Sequence, residues 1–368
     1  MLDLFFYIVL SVQSFLLLIV IYNFLSDINL RRQKNANSFN DKISILIPFR
    51  NEEKNIRGCL KSVIQQNLKN FEIICLNDNS EDNTRELLLE FSKLYDKIRI
   101  IDGKPLPKNW TGKNWSCSQL AENSNGEYLV FLDADVRLNK DAIISALRKM
   151  KELNLNMLSI FPTQKMNSLS EYLIVPSMNW LLLNFLPLNF VYKFSHPSFV
   201  AANGQFIVFD IKTYFLIGGH QSVKDKFVED MELARLLKKK KFKIATMLGG
   251  DLIFAKMYES SFDSINGFSK NFFPGFNTSY LNFSMFLVFI FLMFIFPFLL
   301  SLFYWKFIFI VGLIYIQKIL ISLKSHQNVI LNFLLVPLQL ILVIFVGIRS
   351  MIYTKKGKLQ WKGRILRN

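Results

Sequence analysis

Between residues 41 and 279 the chain alternates short β-branched runs with stretches whose apolar positions recur at helical spacing. Residues 43–47 (ISILI) read as a strand ended by Pro48, and residues 55–66 follow with Ile56, Leu60, Val63 and Ile64 on one helical stripe. A second strand over 71–76 stops at the turn-rich Asn77-Asp78-Asn79-Ser80, and 84–94 reads as the next helix. A third strand covers 98–101, a helix-like stretch 116–122, and a fourth strand 128–132. This rhythm predicts an α/β domain with a mostly parallel sheet and right-handed crossovers. Ligands in such open sheets sit at the carboxyl ends of strands. That rule singles out Arg50, Asn51 and Glu52 after the first strand, Asp78 after the second, and Asp133 and Asp135 after the fourth.

The flanks follow another pattern. Residues 5–25 are almost unbroken apolar sequence, enough to cross a hydrocarbon core of about 30 Å. The run starts beside Asp3 instead of a basic segment, exceeds the ~7–15 apolar residues of a signal peptide and precedes no small-x-small cleavage site, so it reads as an uncleaved anchor. Arg31, Arg32 and Lys34 then hold the downstream side in the cytoplasm, with the N-terminus outside. Residues 281–302 and 328–348 are further spans. Residues 307–323 carry Gln317 and Lys318 and read as a span, a segment that snorkels its lysine, or an interfacial stretch. The number of crossings is open on this reading, and the charge rule favours a cytoplasmic tail. Residues 172–192 are apolar but broken by Pro176, Pro187 and three asparagines. As a crossing they would part the acidic motifs on either side, so an interfacial or re-entrant segment is expected. The organisation is therefore an anchor over 1–26, an α/β domain over 41–279 with its interfacial segment 172–192, a transmembrane region over 280–348 and a basic tail over 349–368. This describes a multi-pass protein of the cell membrane with a cytoplasmic domain.

Composition sharpens this picture. Over 368 residues, 44 Lys+Arg against 28 Asp+Glu give a formal charge of +16, yet mean hydropathy is positive. The last twenty residues hold seven positive charges and no carboxylate, and residues 280–348 hold no carboxylate either. The excess thus follows membrane topology, and the middle domain has little electrostatic reason to bind nucleic acid. Cys59, Cys75 and Cys117 form no CxxC pair and no cluster with histidine, so neither a zinc site nor a disulfide framework is indicated.

Candidate chemistry converges on carboxylates. Asp133 and Asp135, two apart on a chain leaving a strand, suit a divalent cation whose other positions a diphosphate would fill. Glu229-Asp230 opens a predicted helix and supplies a carboxylate able to take a proton from a hydroxyl.

Four segments, 47–53 (IPFRNEE), 76–84 (LNDNSEDNT), 132–135 (LDAD) and 228–236 (VEDMELARL), together resemble the family-2 glycosyltransferases of GT-A fold across about residues 42–260. Residues 107–115 (PKNWTGKNW), the turn 203–206 (NGQF), Gly218-Gly219-His220 and 361–364 (WKGR) look like a membrane-anchored branch that includes carotenoid- and hopanoid-associated glycosyltransferases. The resemblance implies that Asp78 meets the nucleotide base, with Pro48, Arg50, Asn51 and Glu52 lining the same pocket, and that Lys113 lies near the donor. It implies Asp133 on ribose and metal, Asp135 as the principal ligand of Mg2+ or Mn2+, and Asp230, paired with Glu229, as the base of an inverting displacement. His220, ending a Gly-Gly turn, reads equally as structural or acceptor-facing, and the basic tail reads as a positive-inside signal, a patch for anionic lipid head groups, or a fold-back in which Trp361 and Arg364 cover the donor diphosphate. The order of residues in 360–364 (QWKGR) differs from the Gln-x-x-Arg-Trp motif of processive synthases, which argues against a polymerising enzyme. The expected function is transfer of a sugar from a nucleotide-sugar to a membrane lipid acceptor. The alternatives are a polyprenyl-phosphate glycosyltransferase and a non-catalytic membrane scaffold with a transferase-like domain.

Overall fold

All four expected strands form, and they lie side by side as a right-handed α/β winding demands. The structure, a computed structural model, describes residues 1–33, 39–257, 261–356, 360–361 and 364–365. Strands β1 (Ile43–Phe49), β2 (Phe71–Asn77), β3 (Ile98–Asp102) and β4 (Tyr128–Leu132) pair in parallel in the order β3-β2-β1-β4. Helix α1 (Glu53–Ile64) crosses from β1 to β2 and α2 (Thr84–Leu94) from β2 to β3. Helix α3 (Gly112–Glu122) precedes β4. On α1 the buried stripe is Ile56, Cys59, Leu60 and Val63, the spacing that puts one face against a sheet.

Beyond β4 come β5 (Val136–Leu138), α4 (Ala142–Leu153), β6 (Met157–Phe161), β7 (Phe206–Asp210), α5 (Glu229–Lys239), β8 (Ile244–Leu248) and β9 (Ile253–Ala255). Strand β7 runs antiparallel between β4 and β6, and β8 lies parallel to β6, completing a seven-stranded sheet in the order β3-β2-β1-β4-β7-β6-β8. Strands β5 and β9 pair antiparallel in a small separate sheet. Ile45, Ile47, Cys75, Val130, Leu158 and Val208 anchor the core. The three cysteines are buried free thiols.

The chain packs as two units, one of Ile28–Thr163 and Val191–Lys256 and the other of Met1–Asp27, Gln164–Phe190 and Met257–Asn368. The first is the α/β domain. The second collects four helices long and apolar enough to cross a membrane, Leu2–Leu25, Tyr280–Ser301, Phe307–Lys324 and Val336–Lys355. The stretch 307–323, left open by the sequence, is thus part of one continuous helix, and Lys318 is buried in the bundle and does not snorkel. The third expected span is interrupted at Leu335, which separates helix Val329–Leu334 from Val336–Lys355.

Side-chain contacts fix the direction of each helix. Asp3 pairs with Lys306, Gln317 donates to Gln13, and Lys324 donates to the carbonyls of Phe24 and Ser26, so the N-terminal helix and Phe307–Lys324 run parallel. Gln13 donates to the carbonyl of Met293 and Phe5 packs on Phe296, which makes Tyr280–Ser301 antiparallel to both. Ser284 meets Met351, and Leu287 lies against Gly347. The segment that leaves Lys324 therefore comes back, through helix Val336–Lys355, to the end of the bundle where the N-terminal helix finishes. Residues 169–193 form three short helices, Leu169–Ile174, Pro176–Phe185 and Phe190–Lys193. The first carries a capping box between Ser168 and Glu171. In the tail, Gln360–Trp361 pairs antiparallel with Arg364–Ile365, and the side chains of Trp361 and Arg364 lie outside the described residues.

Candidate active site

The strand-end loops are braced to each other before any chemistry begins. Asn51 and Asn79 both hold φ near +50°, at 51° and 48°, a left-handed conformation that asparagine tolerates better than most residues. Asn51 Oδ1 accepts from the Glu81 amide at 2.8 Å, and the Glu52 amide donates to Thr84 Oγ1 at 2.8 Å. Arg50 is buried and donates to the carbonyls of Asp78 and Asn79 at 2.7 and 3.0 Å. It therefore clamps the loop after β1 to the loop after β2. Asp78 lies buried beside it, its amide donating to the Phe49 carbonyl, and Pro48 is a residue of β1 itself.

The loop after β4 carries the paired aspartates into a second cluster. Asp133 meets Lys113 Nζ at 3.0 Å, and the same ammonium lies 3.1 Å from Glu229 Oε1. Lys113 sits in the first turn of α3, capped by Thr111, whose hydroxyl accepts from the Asn114 amide. Asn114, wholly buried, donates to the carbonyls of Val223, Lys224 and Lys226 at 2.7, 3.3 and 3.0 Å and so ties α3 to the loop that leads into Glu229-Asp230. Gly204 lies beneath this junction. A Cβ there would stand 2.9 Å from Lys113 Nζ, 3.1 Å from Glu229 Oε1 and 3.5 Å from Asp230 Oδ2, so any side chain at this position would displace the lysine ammonium from its place. Four motifs far apart in sequence thus meet around one ammonium and one glycine.

The electrostatics follow from burial. Burial pushes the Asp230 carboxyl up to about 7, Glu229 beside it adds to the rise, and Lys113 with the amides of Met231 and Gly204 opposes it. Asp135 is likewise raised to about 7, by burial and then by Asp133 and Glu52. Burial also raises Asp133, with Lys113 partly offsetting it. For Glu229 the balance reverses: against the upward push of burial, Lys113 and His220 hold the carboxyl below its ordinary range. Despite its burial, Lys113 is held firmly charged by Asp133 and Glu229.

A divalent cation fits the Asp135 carboxylate. Its Oδ2 accepts from Gln205 Nε2 at 2.9 Å, while its Oδ1 is buried with no hydrogen-bond partner, an orphan acceptor of the kind a cation satisfies. Among the described residues no group of three or more His, Cys, Asp or Glu side chains stands ready to hold a metal. The protein would thus contribute Asp135, with Asp133 beside it, and a diphosphate would complete the shell.

His220 is buried and faces the protein interior. Tyr214 Oη accepts from the His220 amide and lies within hydrogen-bond distance of the ring, 2.8 Å from Nδ1, so the tyrosine holds the imidazole in place. Burial lowers the imidazole to about 4, leaving it neutral at physiological pH. Asn114, Gly204 and Gln205 belong to motifs visible in the sequence, but their positions gave no hint of the contacts that tie the site together. A signal was present in Asn114 itself, a polar residue at a helix position that turns out to be fully enclosed.

A mostly parallel sheet with one reversed strand, carrying an Asp-x-Asp at the end of β4 and a Glu-Asp at the start of α5, defines a GT-A glycosyltransferase domain. Residues 44–215 match the family described as glycosyl transferase family 2, and the domain is a family-2 glycosyltransferase domain. Among curated relatives, 4,4'-diaponeurosporenoate glycosyltransferase of Staphylococcus haemolyticus is 27% identical over 65% of this chain and 63% of its own length. The protein of the same description from Staphylococcus aureus is 27% identical over 66% of this chain and 64% of its own length. The alignment thus spans under two thirds of these relatives. Among solved structures, the mannosyltransferase PcManGT from Pyrobaculum calidifontis, in complex with GDP-Man and Mn2+, shares the fold with a TM-score of 0.56 at 11% identity, covering 96% of this chain and 99% of its own.

Proposed function

We propose that this protein is a membrane-bound inverting glycosyltransferase that moves one sugar from a nucleotide-sugar to an apolar lipid acceptor. The observation that carries the reading is the convergence of Asp133, Lys113, Glu229 and Asp230 around Gly204. It joins a diphosphate-and-cation end to a proton-accepting end within one cluster.

In this mechanism Asp78 and the loop braced by Arg50 receive the nucleoside, with Pro48, Asn51 and Glu52 in the same wall. Asp135, with Asp133 beside it, would hold Mg2+ or Mn2+, and such a cation would supply charge stabilisation for the diphosphate leaving group. Lys113, fixed between Asp133 and Glu229, presents its charge to the donor side. Asp230 takes the proton from the acceptor oxygen as that oxygen attacks the anomeric carbon. A carboxyl poised near 7 suits this task, because it is ionised in half or more of the molecules at physiological pH while remaining basic enough to accept a proton. Glu229, held ionised by Lys113, keeps Asp230 from ionising more readily and so sustains its basicity.

The Staphylococcus relatives, named for action on diaponeurosporenoate, support an acceptor of apolar, carotenoid type, and the PcManGT complex supports a nucleotide-sugar and a divalent cation. The bundle supports the membrane assignment, and the charge rule supports a cytoplasmic catalytic domain. The return of the last helix to the end where the first helix finishes supports a basic tail on that same side. The experiment is donor screening with purified protein, read as released nucleoside diphosphate, followed by mass spectrometry of glycosylated lipid. Wild type should form a product that Asp135→Asn and Asp230→Asn fail to form. Full transfer by both variants would overturn the reading.

A further inference from the structure

The turn that carries the paired aspartates is held by a side chain outside the cluster described above. Asp133, Ala134 and Asp135 sit in a tight turn closed by the Val136 amide, which donates to the Asp133 carbonyl at 3.2 Å. In such a turn the relative direction of the two carboxylates is set by the peptides on either side of Ala134, because rotating either peptide carries an aspartate with it. One of those peptides is pinned. Arg137, on β5, donates from one guanidinium nitrogen to the carbonyls of Ala134 and Val136, both at 2.9 Å. On the carboxylate itself Gln205 occupies Oδ2 of Asp135 and leaves the buried Oδ1 unpartnered.

The same guanidinium reaches the loop after β1. Its second terminal nitrogen donates to Asn55 Oδ1 at 3.0 Å, and Asn55 Nδ2 donates to Glu52 Oε2 at 2.7 Å. Glu52 stands at the N-cap of α1. Gly58, also on α1, makes room for the arginine: a Cβ there would run into Arg137 Nε and stand 2.9 Å from Cζ and Nη2. Holding so long a side chain in one place costs conformational entropy, which bonds to two carbonyls and an amide oxygen offset. The planar fork meets those three acceptors at fixed angles, as the point charge of a lysine does not.

We propose that Arg137 is a positioning residue for the divalent cation: by holding the Ala134–Asp135 peptide and, through Asn55, Glu52, it fixes where the unpartnered oxygen of Asp135 is presented. This role rests on the reading of Asp135 as a cation ligand. The full chain in neutral detergent is titrated with Mn2+ by calorimetry with UDP or GDP present, against protein-free blanks, and unfolding midpoints are recorded. Wild type should bind Mn2+ and Asp135→Asn should not. Gly58→Ala alters no polar group, and alanine is the better helix former, so its unfolding midpoint should hold or rise. Displacement of the guanidinium should nevertheless lower Mn2+ affinity about tenfold or more, the scale on which residues that orient metal ligands act. Arg137→Lys, which keeps the charge without the fork, should lose about as much. Arg137→Met should do the same, and adding Gly58→Ala to it should cost nothing further, because the side chain being displaced is gone. Should Arg137→Met fail to fold, Gly58→Ala and Arg137→Lys carry the test. Wild-type Mn2+ affinity in Gly58→Ala or in Arg137→Lys, or additive losses in the double variant, would overturn the proposal, and loss of binding in Asp135→Asn would then leave the cation reading standing. No Mn2+ binding by wild type, or undiminished binding by Asp135→Asn, overturns both.

Discussion

The proton-accepting role proposed for Asp230 makes a quantitative demand on the pH dependence of transfer. A carboxyl titrating near 7 is ionised in about one molecule in ten at pH 6 and one in a hundred at pH 5, so kcat/KM should fall about tenfold per unit below 7 and level off above it. Lys113 opposes the rise in Asp230, so Lys113→Met removes that restraint and should move the acid limb to higher pH, whatever it does to the height of the plateau. Asp230→Asn should lower kcat/KM by roughly 10²–10⁴ and flatten the limb. Asp135 also titrates near 7, and saturating Mn2+ separates the two because a metal-bound carboxylate stays deprotonated. The assay is initial-rate nucleoside diphosphate release from pH 5 to 9 at saturating Mn2+. A wild-type profile flat between pH 5.5 and 8.5, or an acid shift on Lys113→Met, would refute the assignment.

Three further outcomes follow from the geometry. Gly204→Ala drives a methyl group to 2.9 Å from the Lys113 ammonium; the flexible lysine yields, so the fold should survive while transfer drops about tenfold or more, comparing unfolding midpoint with kcat. Asn114→Ala removes the amide donor shared by the carbonyls of Val223, Lys224 and Lys226, of which the first two keep a backbone donor, and should cost about 1–3 kcal/mol in chemical denaturation along with much of the activity. Asp135→Asn should abolish Mn2+ binding in calorimetry with nucleoside diphosphate present, while the purified protein remains folded.

The sheet was legible as far as local pattern reaches. Residues 43–47, 71–76, 98–101 and 128–132 announce strands because short apolar runs end in turn residues, and the four became β1 to β4. Strand β7 escaped notice, since nothing local in FIVFD tells a reversed strand from an apolar stretch after an Asn-Gly turn. The acids that meet at the candidate site were readable as candidates because a carboxylate at a strand end or helix start is conspicuous by residue type alone. Asn114 and Gln205 were not, because their value lies in which carbonyl or carboxylate the fold brings to them. Likewise the sequence showed Gln317 and Lys318 interrupting an apolar run, but only the packed bundle reveals that the first is answered by Gln13 and that the second is unanswered within the described residues.

The glutamine at position 13 has a meaning beyond its bonds. A π-helical turn at Phe291–Ile295, just before Pro297, disturbs the helical ladder, and Gln13 supplies a donor to the Met293 carbonyl there. The helix made first therefore carries a side chain whose partners, Met293 and Gln317, are synthesised some 280 and 304 residues later. During synthesis the α/β domain, encoded between them, emerges before the bundle can close. The Gln13 side chain must wait for the rest of the chain, and a truncation that spares the whole α/β domain but removes the N-terminal helix should still damage the last ones.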